Sequence, residues 1–158
     1  LVNPSDINVI KEMPTKETKV AKTILEIPIL GTFIYNLIMH HKRIRNYIES
    51  KYFFKKTFLS SKLEDTYFES AHKGNSAGKY LLASTKGNYV NIDISNAVKK
   101  ADNLYIISSR ERNNAVAITE KYLHLNKNIE AAYISNSRYL PQLEMPDRFK
   151  EVVLMFLQ

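Results

Sequence analysis

Polar and apolar residues follow a helical period through the first hundred positions and lose it near residue 102. Residues 16–26 predict a helix that stops at Pro28, because proline cannot donate the next ladder hydrogen bond. Further helices are predicted over 30–41, 42–51 and 62–73, the last from Leu63, Thr66, Tyr67 and Ser70 at helical spacing. Two more are predicted over 76–85 and 93–99. At the start, Leu1-Val2-Asn3-Pro4 reads as the tail of a buried strand ending at a turn.

Residues 102–158 have a different texture. Asn103-Leu104-Tyr105-Ile106-Ile107-Ser108 is a short continuous apolar run, the pattern of a strand buried on both faces. A helix over 114–123 follows, with Ala115, Ile118 and Tyr122 on one stripe, and then a strand over 129–135. Pro146 suits the first position of a last helix, and Asp147 complements its dipole. Phe149, Val152, Val153, Phe156 and Leu157 form that helix's apolar face. Strand, helix, strand, helix at this spacing predicts an α/β fold with parallel strands and right-handed crossovers. The expected division is therefore 1–4, the end of a core strand; 5–100, a helical zone; and 101–158, a β-α-β-α segment. Two or three apolar strands do not make a complete parallel sheet, which needs neighbours and helical cover on both faces. The expected partner is the missing first half of the fold, a second fragment, or another copy pairing along an exposed strand edge.

Composition narrows the chemistry. The 158 residues hold 44% hydrophobic and 25% charged side chains, which excludes wholesale disorder. The absence of cysteine excludes a disulfide scaffold, a thiolate metal site and a cysteine nucleophile. The apolar stretch over 24–39 is broken by Glu26, Pro28, Gly31 and Asn36, and falls short of the roughly 20 residues of a transmembrane helix. It reads as a buried or lid helix pair, with a membrane-surface segment as the other reading. Residues 1–11 lack the basic start and apolar run of a signal peptide, and a cytoplasmic location is expected.

The net charge of +7 is uneven, with eleven basic and five acidic residues through Lys62 against twelve and eleven afterwards. His40-His41-Lys42-Arg43-Ile44-Arg45, with Tyr47, Tyr52, Phe53 and Phe54 beyond it, has the look of a nucleic-acid surface but no accompanying motif. A solvated helix face with inward-packed aromatics is the expected form, and nucleic acid is not the expected partner. Adjacent histidines on a helix point about 100° apart, and His72 and His124 add no ligand spacing. Neither a metal nor any other cofactor is expected.

Two stretches of the last zone resemble the C-terminal end of α/β-hydrolase-fold proteins. In Leu104-Tyr105-Ile106-Ile107-Ser108-Ser109-Arg110-Glu111, an apolar strand leads to the place where the family commonly carries Gly-x-x-Asp, the Asp being the triad acid. Ser108 replaces the Gly, and Glu111 occupies the acid position. Ser137-Arg138-Tyr139-Leu140-Pro141-Gln142-Leu143-Glu144-Met145-Pro146-Asp147-Arg148-Phe149 is similar to the family's Gly-His-Leu-Pro-Gln-Leu-Glu-x-Pro-Glu, the segment that carries the catalytic His. Pro28-Ile29-Leu30-Gly31-Thr32-Phe33-Ile34-Tyr35-Asn36, Glu69-Ser70-Ala71-His72 and Lys86-Gly87-Asn88-Tyr89 resemble the lid of a hydrolase-like subgroup from low-GC bacteria. The resemblance implies a partial α/β-hydrolase fold: a helical lid over 5–100, then the last parallel strands and helices of the doubly wound sheet. It implies an ester or acyl hydrolase class, a small acyl or ester ligand, and an oxyanion hole supplied by earlier loops. Phe33, Tyr35, Phe53, Phe54 and Phe68 would line an acyl pocket or simply pack as core.

The departure from the family lies at Tyr139, which stands in place of the His base. Imidazole titrates near ~6.5 and exchanges a proton at neutral pH; phenol, near ~10, does so poorly. Without that base a serine hydroxyl is a weak nucleophile. Tyr139 is expected either to bind substrate through its hydroxyl or to pack as an aromatic in a lapsed site. Gly74-Asn75-Ser76-Ala77-Gly78 matches Gly-x-Ser-x-Gly, but a nucleophile elbow follows an apolar strand, and the residues before it read as helix. Ser76 is thus either a nucleophile candidate or, the preferred reading, a turn residue capping the next helix.

Overall fold

A computed structural model describes residues 1–74 and 76–158 as two compact units. The first comprises Leu1–Ile10, Glu49–Phe58 and Asp93–Gln158, and the second Lys11–Ile48 and Leu59–Ile92.

The first unit is built on two parallel strands, β1 (Leu104–Ser109) and β2 (Ile129–Ile134), in register from Leu104↔Ile129 to Ser109↔Ile134. Val2 adds a parallel bridge to Ile107 on β1, through Ile107 N–H to Leu1 O (2.9 Å) and Asn3 N–H to Ile107 O (2.8 Å). The strand tail expected at 1–4 is therefore reduced to one bridge, and it is not buried: Leu1 and Val2 are 50% and 45% exposed. Asn3 turns the chain away with φ 45°. Helices α6 (Ser95–Lys100), α7 (Ala115–Leu125), α8 (Pro141–Glu144) and α9 (Pro146–Phe156) complete the unit.

Alternation along β1 sends neighbours to opposite faces. Ile106 packs with Ile7, Val98, Ile118, Tyr122 and Ile129. Ile107 packs with Ile134 and Val152, against Ala132, Phe149, Val153 and Phe156. The strand is covered on both faces, as its unbroken apolar run requires. Phe156 stacks on Tyr105 with centroids 4.5 Å apart, whereas Leu157, expected on the same face, is 76% exposed because the helix ends at Phe156. The short α8 was not predicted; Pro141 starts it, and Pro146 restarts the chain as α9.

The second unit is helical: α1 (Lys16–Glu26), α2 (Pro28–Ile38), most of α3 (His41–Lys51), α4 (Ser61–His72) and α5 (Gly78–Lys86). Thr15 and Thr18 form a reciprocal capping box at the start of α1. Ile27, forced out of helical conformation before proline, ends α1 and starts α2, so Pro28 is the first residue of a helix predicted to begin at Leu30. The two helices meet at 99°. A Cβ on Gly31 would sit 1.8 Å from Leu25 O, so only glycine permits this crossing. Buried Lys79 donates from Nζ to Pro28 O and Thr32 Oγ1, both at 3.1 Å, and ties α5 to the elbow. Buried Tyr35 donates its hydroxyl to Ala71 O.

Glu64, on α4 and 4% exposed, pairs with His41 Nδ1 (2.9 Å) and Arg45 Nη1 (3.4 Å). Of the aromatics expected to pack inward, Phe53 is buried, but Tyr47 is 54% exposed. Among the described residues no cluster could hold a metal ion, and no single helix is long and apolar enough to cross a membrane.

Candidate functional site

Parallel pairing that ends on Ser109↔Ile134 delivers the loops after β1 and β2 to the same edge of the sheet. The first loop carries Glu111 and Arg112; the second carries Ser137, Arg138 and Tyr139. Glu111 Oε2 accepts Ser137 N–H at 3.2 Å, and Glu111 N–H donates to Ser137 O at 3.4 Å. The Glu111 carboxylate is thus spent on the backbone two residues before Tyr139. No hydrogen bond joins Glu111 to Tyr139 among the described residues.

Beneath the loops lies a closed polar knot. Ser137 Oγ donates to Ser109 Oγ at 2.8 Å, and both serines are fully buried. Asn3 Nδ2 donates to Ser109 Oγ (2.9 Å) and to Tyr139 O (3.0 Å), while Asn3 Oδ1 accepts Ser109 N–H (2.7 Å). Buried polar groups persist only when satisfied, and this knot satisfies its members.

Tyr139 is half-buried between two partners. The Arg112 guanidinium lies 5.1 Å from its ring centroid, and the Tyr52 ring lies 5.6 Å away. Tyr139 N–H also donates to Tyr52 O at 3.1 Å. Arg112 is 8% exposed, donates from Nη1 to Pro4 O (2.8 Å), and leaves a buried Nε without a partner. Arg138 likewise has a buried, unpartnered Nε, and its Nη1 donates to Ser50 O at 2.6 Å. One guanidinium group thus follows Glu111 directly in the chain, and the other directly precedes Tyr139.

Burial pushes the Tyr122 phenol up, an effect reinforced by Asp6 and opposed by Arg112. Its hydroxyl donates to Ser5 O at 2.8 Å.

Ser76 belongs to the other unit. It follows helix α4 rather than a strand, has φ 66°, and donates from Oγ to Asn36 Oδ1 at 3.3 Å. It does not cap α5, as the sequence had led us to expect: Ala77 occupies the N-cap position, and no side chain bonds there. Asn75 of the same motif lies outside the described residues. Of the aromatics proposed for an acyl pocket, Tyr35 and Phe53 are buried, Phe33 is 63% exposed, and Phe68 lies tilted against His72 with centroids 4.2 Å apart.

Asn3, Ser109, Arg112 and Ser137 were not singled out by the sequence. The one local signal was Ser108-Ser109, two hydroxyls closing an apolar strand where a buried acceptor is needed.

No family model matches the sequence, and no curated protein matches it. Solved structures do. A bromoperoxidase from Bacillus anthracis aligns over 80% of this chain and 48% of its own, at 11% identity and TM-score 0.59. A haloalkane dehalogenase from Agrobacterium tumefaciens aligns over 92% and 53%, at 11% identity and TM-score 0.57. MenH from S. aureus aligns over 91% and 55%, at 16% identity and TM-score 0.52.

The fold is a partial α/β-hydrolase fold.

The chain spans about half the length of the α/β-hydrolase proteins it matches. The alignments cover 80–92% of this chain and so extend beyond the two parallel strands and the helices around them into the helical unit.

Proposed function

We propose that this chain is the C-terminal portion of an α/β-hydrolase-like protein of the ester or acyl hydrolase class, and that it is catalytically incompetent by itself. Its helical unit would serve as the lid and its sheet unit as the last strands of the core. The observation that carries the reading is the placement of Glu111 and Tyr139 on the loops after two parallel, paired strands, the order in which this fold carries its acid and its base. A phenol at the base position, with its ring held against Arg112 and Tyr52, offers no ready proton acceptor for a serine hydroxyl. The rest of the sheet would come from the first half of the fold or from another copy, pairing beyond Val2.

Hydrolysis of a short-chain nitrophenyl ester tests this. The chain is expected to run at the rate of buffer alone, and Ser76→Ala is expected to change nothing. Turnover by the chain that is lost in Ser76→Ala would overturn the incompetent reading and make Ser76 the nucleophile.

One observation favours a second reading, a non-catalytic binding module on a degenerate hydrolase fold. The Arg112–Tyr139 stack places an aromatic and a cation together at the base position, an arrangement suited to holding a small acyl ligand.

A further inference from the structure

The helical unit carries an apolar surface that lies open to solvent, and only Phe33 of it has been assigned a place in the proposed acyl pocket. Along α2, Ile29, Leu30, Phe33 and Leu37 fall within one arc of about 100° and are 86%, 46%, 63% and 49% exposed. Val20 and Ile24, one turn apart on α1, are 61% and 39% exposed. Single exposed apolar side chains are ordinary, but a stripe of this kind on adjoining helices marks an interaction surface.

The net charge of the unit points to the kind of partner. This unit carries eleven Lys and Arg against six Asp and Glu, so it holds most of the chain's excess positive charge. Lys16 and Lys19 on α1 and Lys42 and Arg43 on α3, the helices that precede and follow α2, are exposed. The elbow is also rigid. The Gly31 contact with Leu25 and the Lys79 bonds to Pro28 and Thr32 fix the 99° bend, so the stripe needs little ordering on binding.

We propose that the α1–α2 elbow docks on the surface of an anionic lipid bilayer, lying in the interface rather than crossing it. Phe33, Ile29 and Leu37 enter the boundary between headgroups and acyl chains, and the lysines and Arg43 face the anionic headgroups. A neutral protein partner would need the apolar stripe but not the unit's excess of lysine and arginine; an anionic membrane uses both.

The test is cosedimentation of the full chain with vesicles of phosphatidylcholine alone or containing phosphatidylglycerol. Binding to the anionic vesicles is expected to exceed binding to the neutral ones by about tenfold, and to fall as salt rises. Ile29→Asp with Phe33→Asp is expected to weaken it by at least about tenfold. Both sites are exposed, and Asp at position 29 lies in the first turn of α2, where it favours the helix, so folding is retained and checked by circular dichroism. Lys16→Glu with Lys19→Glu is expected to abolish only the preference for anionic vesicles. Leu157→Asp, equally exposed in the other unit, is the control and is expected to bind unchanged. No binding to anionic vesicles overturns the proposal. So does binding that ignores Ile29 and Phe33, or a self-associated chain that those two substitutions render monomeric without any lipid effect. Because ester turnover is not read here, failure of this proposal leaves the hydrolase-like reading standing.

Discussion

The Glu144 carboxylate accepts the Phe54 backbone N–H at 2.5 Å across 90 residues of chain, and its second oxygen accepts Arg138 N–H at 2.8 Å. Glu144 is 3% exposed, so the contact joins residues 49–58 to the loop after β2 out of reach of water. Glu144→Ala strands two amide donors and is expected to cost about 3–5 kcal/mol. Glu144→Gln keeps one acceptor oxygen and is expected to cost about half as much. Urea denaturation of the three proteins measures the order; equal stability of all three would remove the contact from the account of the fold.

Tyr139 separates ring from hydroxyl. Tyr139→Phe keeps the Arg112 and Tyr52 contacts and is expected to change stability by less than about 0.5 kcal/mol. Tyr139→Ala loses both contacts, at a cost of about 1–3 kcal/mol. In a longer protein that contains this chain, Tyr139→His supplies an imidazole at the base position, and ester turnover is expected to rise at least about a hundredfold. The absence of any rise there would favour the binding module.

Alkaline pH acts through two phenols. Burial raises Tyr35, and burial together with Asp6 raises Tyr122, above the ordinary value of 10.0. The folded chain therefore keeps protons that the unfolded chain releases. The stability they contribute is whole below about pH 10 and is lost as pH rises through the folded values. A phenolate absorbance titration is expected to show Tyr35 and Tyr122 ionising late. Tyr122→Phe should remove one of them, and its lost bond to Ser5 O should cost about 1 kcal/mol.

The α1–α2 elbow is a packing prediction. Gly31→Ala drives a methyl into Leu25 O and is expected to destabilise by about 1–3 kcal/mol or more. Lys79→Met keeps the length of the side chain but leaves Pro28 O and Thr32 Oγ1 without their cation, with a smaller loss expected. Thermal melts rank the two; a stable Gly31→Ala would mean that the elbow has slack.

The sequence made some features legible because local chemistry dictates them. The run from Leu104 to Ser108 can only be a strand with both faces covered, and the spacing of Phe149, Val152, Val153 and Phe156 fixes the buried face of α9. Pro28 was read as a stop and is also a start, since the same ring that ends one helix suits the first turn of the next. Glu111 and Tyr139 were picked out by the resemblance to the α/β-hydrolase family, and parallel pairing brings their loops to one sheet edge. What held them did not: Asn3, Ser109 and Ser137 meet across more than a hundred positions, through hydroxyls and amides that leave no periodic trace. Residues 49–58 read as the end of a basic helix, yet they cluster with the strands through Ser50 O, Tyr52 O and Phe54 N–H, and backbone groups are the same in every sequence. The cap expected from Ser76 failed because the chain makes its turn there at positive φ, with the hydroxyl drawn to Asn36.

Asn3 acts as a linchpin whose one amide grips the backbone of both loops, at Ser109 and at Tyr139. Neither loop can therefore drift alone. Any insertion that lengthens one is transmitted to the other through a side chain outside both, so the spacing between Glu111 and Tyr139 depends on Asn3.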